Sequence, residues 1–279
     1  SVLVFVPREA YGSALRERVG ALLSEAFAGR ISNFYTQVGD EPLARIHFII
    51  AVTPGRPAEP DIEILERRVS AATRTWADDL AEALNAHCGE ERGGRLWRRY
   101  AAAFPAGYRE RYDPAVACAD IERIDVLNPA APIAVNLYRP LEASAAELRF
   151  KLYRIGQPVA VSDCLPMLEH LGLKVIEEHP FKIEAAGEGA SVWLHDLSLL
   201  APPELEIVLD RVKDKFETAF IRIWQGAMED GRFNRLVLLA RLEGREIVVL
   251  RAICKYLRQA VIAFSQAYME EALCSNPGL

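Results

Sequence analysis

The sequence predicts an α+β protein that contains two ferredoxin-like sandwiches. A strand–helix–strand–strand pattern occurs twice in the 279 residues, first from Val2 to Val52 and again from Leu148 to Leu199. In each copy a glycine ends the helix, and a turn joins the two strands that follow it. A helical insert separates the copies, and further helices follow the second. Since half of a βαββαβ sandwich has this order, the repeat indicates two such domains.

The first copy opens with a run of apolar, mostly β-branched residues, Val2–Val6, which predicts a strand buried on both faces. Apolar side chains at helical spacing predict a helix over roughly 11–27, with Gly29 as its left-handed cap. Two strands follow, and in the second of them apolar residues alternate with others. These strands are predicted over Ile31–Val38 and Ala44–Val52.

The second copy repeats this order. Leu148–Tyr153 alternates apolar and polar residues, and a short helix is predicted to start with Ser162 or Asp163 as its N-cap and to end at Gly172. Pro180 cannot donate a backbone hydrogen bond, so the strand that carries it is predicted to be an edge strand or to contain a bulge. The two strands after the helix are predicted over Val175–Ile183 and Val192–Leu199.

The insert and the C-terminal region are mostly helical in pattern. One long helix is predicted from Asp61 to Cys88, and a glycine-rich break at 89–94 precedes two shorter ones. A strand at Ile133–Tyr138 either closes the first sandwich or pairs with the second, and the sequence leaves both possibilities open. The remaining predicted helices are Leu96–Phe104, Pro114–Leu127, Leu205–Trp224, Phe233–Leu242 and Glu246–Leu273.

Composition and motifs argue against several functional classes. A formal net charge of −6 gives no general attraction to nucleic acid or to an anionic membrane. Five cysteines without a CxxC pair predict reduced thiols in a cytoplasmic protein, and no apolar run approaches the ~20 residues of a membrane span. Dinucleotide, P-loop, zinc-protease and nucleophile-elbow motifs are all missing from the sequence, so no catalytic site, metal or cofactor is predicted here.

Because the chain starts inside a predicted strand without a methionine, we expect a fragment of a longer protein.

Two histidines lie in the middle of predicted strands, at comparable places in the two copies. His47 is on the face opposite Ile46, and His195 is followed by Asp196. Neighbours on a strand point to opposite faces, so His195 and Asp196 cannot form a catalytic dyad. A structural or interface role is therefore favoured over catalysis for both histidines.

Ligand contacts are predicted in the loop that leads from the first strand into the first helix of each copy. A helix N-terminus offers free N–H groups and a partial positive charge to a carboxylate. Arg8 can pair with an anion, and Gly156 allows a ligand to approach the backbone. Ordinary turn chemistry is the alternative explanation of these loops. The candidate ligand-binding residues are Arg8, Tyr11, Gly12, Gly156, Gln157, Ser162 and Asp163.

The C-terminal helices permit two interpretations. Their order resembles a helix-turn-helix, and Arg251, Lys255 and Arg258 would form a cationic edge for nucleic acid. The acidic chain and the apolar residues around Ile247 and Ile253, which we expect to be buried, argue against it. A helical hairpin that docks onto the rest of a larger protein is the favoured interpretation.

Short stretches spread over most of the chain form a specific combination. They are Phe5–Arg8, Tyr11, Leu15–Arg16, Phe34–Gln37, Leu43–Phe48, Leu148–Arg154, Leu165–Glu169, Glu177–Pro180, Val192–Asp196, Phe233–Leu238 and Lys255–Gln259. This combination resembles the large bacterial NAD-specific glutamate dehydrogenases. In that family the region before the catalytic core is similar to ACT domains, which are ferredoxin-like regulatory modules. ACT domains commonly pair through sheets or helices and bind amino acids at the strand-to-helix loop.

The resemblance implies a division of the chain and a role for it. Residues 1–140 would form an ACT-like domain with a helical insertion, 141–226 a second ACT-like domain, and 227–279 a helical segment leading toward the catalytic core. The full-length enzyme would use NAD to deaminate glutamate to 2-oxoglutarate and ammonia, and this chain would be its non-catalytic regulatory and assembly region.

The resemblance also implies partners. They are the catalytic core of the same polypeptide, further copies in a homo-oligomer and an amino-acid effector, with no role for nucleic acid or membrane. A stand-alone nucleic-acid-binding regulator and a scaffold without a ligand are the alternatives.

Overall fold

A computed structural model of the chain describes residues 1–39, 41–53, 60–187, 189–203, 205, 207–260 and 263–278. The chain divides into two units, Ser1–Ala83 and Leu84–Leu279. The first boundary expected from the sequence, near residue 140, falls within the second of these units.

The first unit is a three-stranded antiparallel sheet, sheet 1, with helices on one face. Val4 and Val6 of the first strand and Ile46 and Phe48 of the third point toward these helices and are buried with Leu15. The strand order is β1-β3-β2. The elements are β1 (Val2–Pro7), α1 (Ser13–Ala26), β2 (Arg30–Gln37), β3 (Leu43–Ala51) and α2 (Ile62–Thr73).

The other face of sheet 1 is open. Leu3 and Phe5 are 54% and 57% exposed, so the expectation that β1 is buried on both faces is wrong. Among the described residues of this unit, helices lie on one side of the sheet only. His47 lies on this open face, since its register partners Leu3 and Tyr35 point the same way.

The second unit contains a four-stranded antiparallel sheet, sheet 2, in the order β4-β5-β7-β6. The sequence did not decide which sheet contains the strand at Ile133–Tyr138. This strand is β4, and it pairs with β5 in sheet 2, with Val135 opposite Leu152. Pro180 lies on β6, an edge strand, as predicted. The elements are β4 (Ile133–Tyr138), β5 (Glu147–Ile155), α7 (Val161–His170), β6 (Lys174–Ile183), β7 (Val192–Leu200) and α8 (Leu209–Trp224).

The predicted α+β class with two strand–helix–strand–strand sandwiches is confirmed. Sheet 2 is completed by a strand that precedes β5 in the chain, whereas a βαββαβ order would supply it last. Sheet 1 has three strands among the described residues, so β1 lies at its edge.

Helices cover both faces of sheet 2. Phe150 and Leu152 of β5 face α7 and α8 in the main hydrophobic core, together with Phe216 and Phe220. The opposite face lies against the insert through Tyr108, Tyr112 and Asp120. In the chain, α3 (Trp76–Cys88) is followed by three further helices. These helices are α4 (Glu90–Tyr100), α5 (Ala106–Arg111) and α6 (Pro114–Asp125).

The helix boundaries predicted between residues 61 and 94 are wrong at two places. The helix expected from Asp61 to Cys88 is divided into α2 and α3, because Thr75 and Asp78 cap each other. The Asp78 carboxylate accepts from Thr75 N–H at 2.9 Å, and Thr75 Oγ1 accepts from Asp78 N–H at 3.2 Å. The break expected over 89–94 is confined to Gly89, whose φ is +81°.

The described residues of the C-terminal region form three α-helices. The helix predicted over 246–273 is two helices, since Ser265 accepts a hydrogen bond from Tyr268 N–H at 3.2 Å and so caps a new one. The elements are α9 (Leu236–Leu239), α10 (Gly244–Gln259) and α11 (Gln266–Ser275). In the part of the chain that the structure describes, none of the helices is long and apolar enough to cross a membrane.

Candidate functional site

The loop between β5 and α7, residues 156–160, is the better formed of the two predicted ligand loops. Gly156 has a φ of +86°, a conformation that strains any residue with a Cβ atom, and its N–H donates to Ser191 O at 2.7 Å. A Cβ atom at this position would meet nothing within 4 Å. The space above Gly156 is therefore open, and a ligand can reach the backbone there.

A buried histidine beneath this loop holds its far end. Val159 N–H donates to His195 Nε2 at 3.0 Å, and His195 Nδ1 lies 2.6 Å from Glu178 Oε1. A ring nitrogen that accepts an N–H carries no proton, so His195 is neutral and its Nδ1–H donates to Glu178. At 4% exposure, His195 supports the loop from the helix-facing side of sheet 2.

The two strand histidines, His47 and His195, lie in different environments, and His195 and Asp196 point to opposite faces of sheet 2. His195 faces the α7 side of sheet 2, whereas His47 lies on the open face of sheet 1, so their places are not comparable. Asp196 points to the face of sheet 2 opposite His195, as strand geometry predicts.

Three polar candidates surround the start of α7. Gln157, Ser162 and Asp163 are exposed, and Ser162 Oγ lies 3.4 Å from Asp163 Oδ1. The prediction that Ser162 or Asp163 caps this helix is wrong, because α7 begins at Val161 and its N-cap is Ala160. Both side chains instead lie in the first turn, where the Asp163 carboxylate opposes a bound anion and favours a cation.

The corresponding loop of the first unit has a different geometry. Arg8 N–H donates to Pro42 O at 3.0 Å, and Tyr11 Oη–H donates to Thr36 Oγ1 at 3.2 Å. Gly12 precedes α1 with a φ of −167°, an extended conformation that any residue adopts. The exposed Arg8 side chain provides a positive charge, but the backbone here does not depend on glycine.

A second cluster of titratable groups lies on the other face of sheet 2. Lys151 Nζ lies 2.9 Å and 2.6 Å from the two carboxylate oxygens of Asp120, and each residue is 1% exposed. Tyr108 and Tyr153 also donate to this carboxylate. Burial, followed by the negative charge of Asp120, raises the pKa of both phenols, so they remain protonated donors at neutral pH.

A neighbouring carboxylate extends this cluster. Asp196 accepts a hydrogen bond from Tyr112 and lies 3.4 Å from Arg149 Nη1. The Lys151 ammonium lies 4.4 Å from the centre of the Tyr112 ring, a cation–π distance. These contacts link β5 and β7 to residues 108–120 of the insert, so the cluster fastens the helices to the sheet.

Metal-ligating and thiol side chains occur throughout the described residues. Among them, no group of three or more His, Cys, Asp or Glu side chains is arranged to hold a metal ion. Burial raises the pKa of Cys118 and of Cys164 to about 11 each, so both are protonated thiols at neutral pH. Neither thiol is a nucleophile in this state.

The predicted cationic edge of the C-terminal helices is largely engaged within the protein. Arg251 is 4% exposed and donates to Asn234 Oδ1 at 3.1 Å. Lys255 Nζ lies 2.6 Å from a Glu229 carboxylate oxygen, and this hydrogen bond lowers the pKa of Glu229. The geometry therefore does not favour the nucleic-acid-binding alternative.

Comparison with protein families accounts for nearly the whole chain. Residues 1–77 match the ACT2 domain of glutamate dehydrogenase and residues 132–212 its ACT3 domain. Residues 83–127 match helical motif 2 and residues 228–279 helical motif 3 of the same enzyme. The chain belongs to the glutamate dehydrogenase family. The predicted resemblance is thereby confirmed, and the α4–α6 insert corresponds to helical motif 2.

Curated relatives agree with this assignment. The chain is 39% identical over 277 residues to the NAD-specific glutamate dehydrogenase of Halomonas elongata, which covers 99% of the chain. It is 34% identical over 271 residues to the protein of that name from Pseudomonas aeruginosa, covering 97% of the chain. For the Mycobacterium tuberculosis protein of that name the identity is 33% over 294 residues, covering 99% of the chain. The chain spans only 17–18% of the length of these glutamate dehydrogenases.

The residues that hold the ACT3 loop and helical motif 2 carry little signal in the sequence. Neither the pairing of Glu178 with His195 nor the role of Asp120 was recognised from the sequence. For Glu178 a signal existed, since the adjacent strands β6 and β7 carry Glu178 and His195 at nearly the same position along the sheet. For Asp120 there was none, because Lys151 lies 31 residues away in the sequence.

Proposed function

We propose that this chain is the regulatory ACT-type region of an NAD-dependent glutamate dehydrogenase and does not perform the chemistry itself. The observation that carries the proposal is that two ACT domains and two helical motifs of that enzyme together match most of the chain. In the longer polypeptide, a catalytic core outside these residues would use NAD to convert glutamate to 2-oxoglutarate and ammonia.

The β5–α7 loop is the proposed effector site, and a free amino acid is the proposed effector. The open space above Gly156 leaves room for an α-carboxylate beside the N-terminus of α7, and Asp163 in the first turn of α7 can pair with an α-ammonium group. A zwitterion therefore fits this loop better than a simple anion does. Gln157 and Ser162 are exposed beside it and provide further hydrogen bonds. In the first unit, Arg8, Tyr11 and Gly12 form the second candidate loop.

Regulation in this proposal is a coupling between the ACT loops and the catalytic core. An effector that binds one arrangement of domains better than another shifts the population toward it, by ~1–3 kcal/mol in typical cases. The catalytic core of the same polypeptide and further copies in a cytoplasmic homo-oligomer are the proposed partners. Their positions relative to the ACT domains would carry the signal.

A rate measurement tests the non-catalytic role. The 279-residue chain, mixed with glutamate and NAD, is expected to produce no NADH above background, because the catalytic core is proposed to lie outside it. The longer polypeptide under the same conditions is expected to produce NADH, followed by absorbance. NADH formation by the chain alone, at a rate that scales with its concentration, would refute the proposal.

A further inference from the structure

The outer face of α10 is apolar, although it faces away from the core of the second unit. Val249, Ile253 and Tyr256 are 51%, 48% and 68% exposed, and spacings of four and three residues place them on one stripe. Val248, 40% exposed, and Ala252 extend the stripe. This is the reverse of the pattern expected for a surface helix.

The inner face of the same helix is already packed. Ile247 and Cys254 belong to the main hydrophobic core, and Arg251 is buried against Asn234. Lys255 lies on a flank, where it pairs with Glu229, and the exposed Arg245 lies at the N-terminal end of the outer face. A helix that is apolar on two faces is typical of one buried on both sides. The sequence predicted burial of Val248 and Ile253, and the chain by itself does not supply it.

We propose that the outer face of α10, formed by Val248, Val249, Ala252, Ile253 and Tyr256, docks onto a part of the same longer polypeptide that lies outside this chain. This inference deepens the proposed function, on which it rests, by naming the surface through which the ACT region touches the rest of the enzyme. More than four-fifths of the length of the relatives lies outside the matched region, so other parts of the same polypeptide are available to bind this face.

The size of the face favours an intramolecular occupant. A stable interface between separate proteins buries roughly 800 Å² on each side, with about 20–30 residues. Five side chains of α10, four of them partly exposed aliphatic or aromatic groups, fall well short of this. Covalent linkage supplies an effective concentration in the ~mM range, at which a small apolar contact suffices.

The other helical motif of this chain provides a precedent. Helical motif 2 packs onto sheet 2 of the ACT3 domain that follows it in the sequence, through Tyr108, Tyr112 and Asp120. Helical motif 3 packs its inner face on the ACT3 core through Phe233 and Ile247 and leaves its outer face free. Helical motif 2 thus covers one face of a neighbouring domain, and the same use of helical motif 3 would place the outer face of α10 against a further domain.

Thiol labelling tests this docking. With Ile253→Cys, alkylation by iodoacetamide at residue 253, resolved by peptide mass spectrometry, is expected to be fast in the 279-residue chain. In the longer polypeptide it should be at least ~10-fold slower. Leu141→Cys, at a residue that is fully exposed, is the control and should react equally in both. Val249→Cys provides a second position, and slow labelling of the buried Cys118 shows that each variant is folded.

Two results would overturn the inference. One is equal labelling of residue 253 in the chain and in the longer polypeptide. The other is protection in the chain alone that grows with its concentration, which would identify a second copy as the occupant. Loss of effector response with residue 253 still protected would refute the proposed regulation while leaving the docking intact, so the two failures are distinguishable.

Discussion

Asp120→Ala is expected to lower the free energy of unfolding of the second unit by about 3–5 kcal/mol. The substitution leaves the Lys151 ammonium, 1% exposed, without its carboxylate, and Tyr108 and Tyr153 lose an acceptor. A buried charge without a partner costs far more than the pair contributes. Urea unfolding followed by tryptophan fluorescence measures the loss, since three of the four tryptophans, Trp97, Trp193 and Trp224, lie in this unit.

Two controls isolate the effect of burial. The exposed pair Lys182–Glu184 has the same N···O distance of 2.6 Å, so Glu184→Gln is expected to change stability by less than ~1 kcal/mol. Adding Lys151→Met to Asp120→Ala removes the unpaired charge and should recover part of the loss. Equal, small effects of Asp120→Ala and Glu184→Gln would show that the cluster does not fasten helical motif 2 to sheet 2.

Phe150→Ala is expected to destabilise the same unit by about 3–5 kcal/mol. The Phe150 ring is fully buried, and its centroid lies 5.9 Å from that of Phe216 and 4.8 Å from that of Phe220, both on α8. Removing it deletes the contact between β5 and α8 and leaves a cavity that these rings cannot fill. The same fluorescence-detected urea unfolding provides the measurement.

A matched exposed phenylalanine separates packing from composition. Phe264 is 53% exposed, so Phe264→Ala is expected to change stability by no more than ~0.5 kcal/mol. Phe150→Leu keeps most of the volume and should cost less than Phe150→Ala. A loss below ~1 kcal/mol for Phe150→Ala would place the core of the ACT3 domain elsewhere than between β5 and α8.

Local sequence patterns predicted the repeated domain because periods of two and of 3.6 residues are local properties. The strands around His47 and His195 and the glycine that ends α7, Gly172 with a φ of +97°, were recognisable from such patterns. The left-handed cap predicted at Gly29 is wrong, because Ala28 adopts that conformation instead, with a φ of +45°. The same reasoning failed where the apolar spacing of one helix continues into the next helix. Apolar spacing continues from Val69 to Leu80, and only the reciprocal caps of Thr75 and Asp78 mark the division between α2 and α3.

Features that depend on distant contacts could not be predicted. Alternation along β5 is typical of a sheet with one solvated face, yet Lys151 and Tyr153 are buried because helical motif 2 covers that face. The candidate loop could be located from Gly156, since a glycine before a helix indicates an unusual turn. Its support by His195 could not, because that bond joins residues 36 positions apart.

The most direct test of regulation by these ACT domains is an amino-acid titration of the longer polypeptide. The initial rate of NADH formation from glutamate is measured against each amino acid, first for the unmodified polypeptide and then with Gln157→Ala and Ser162→Ala combined. The exposed Glu142→Gln is the control. We predict that at least one amino acid changes the rate and that the double variant shifts its half-maximal concentration by ~10-fold, the equivalent of one or two lost hydrogen bonds. Rates that no amino acid alters, or a response that the double variant leaves unchanged, would contradict the account.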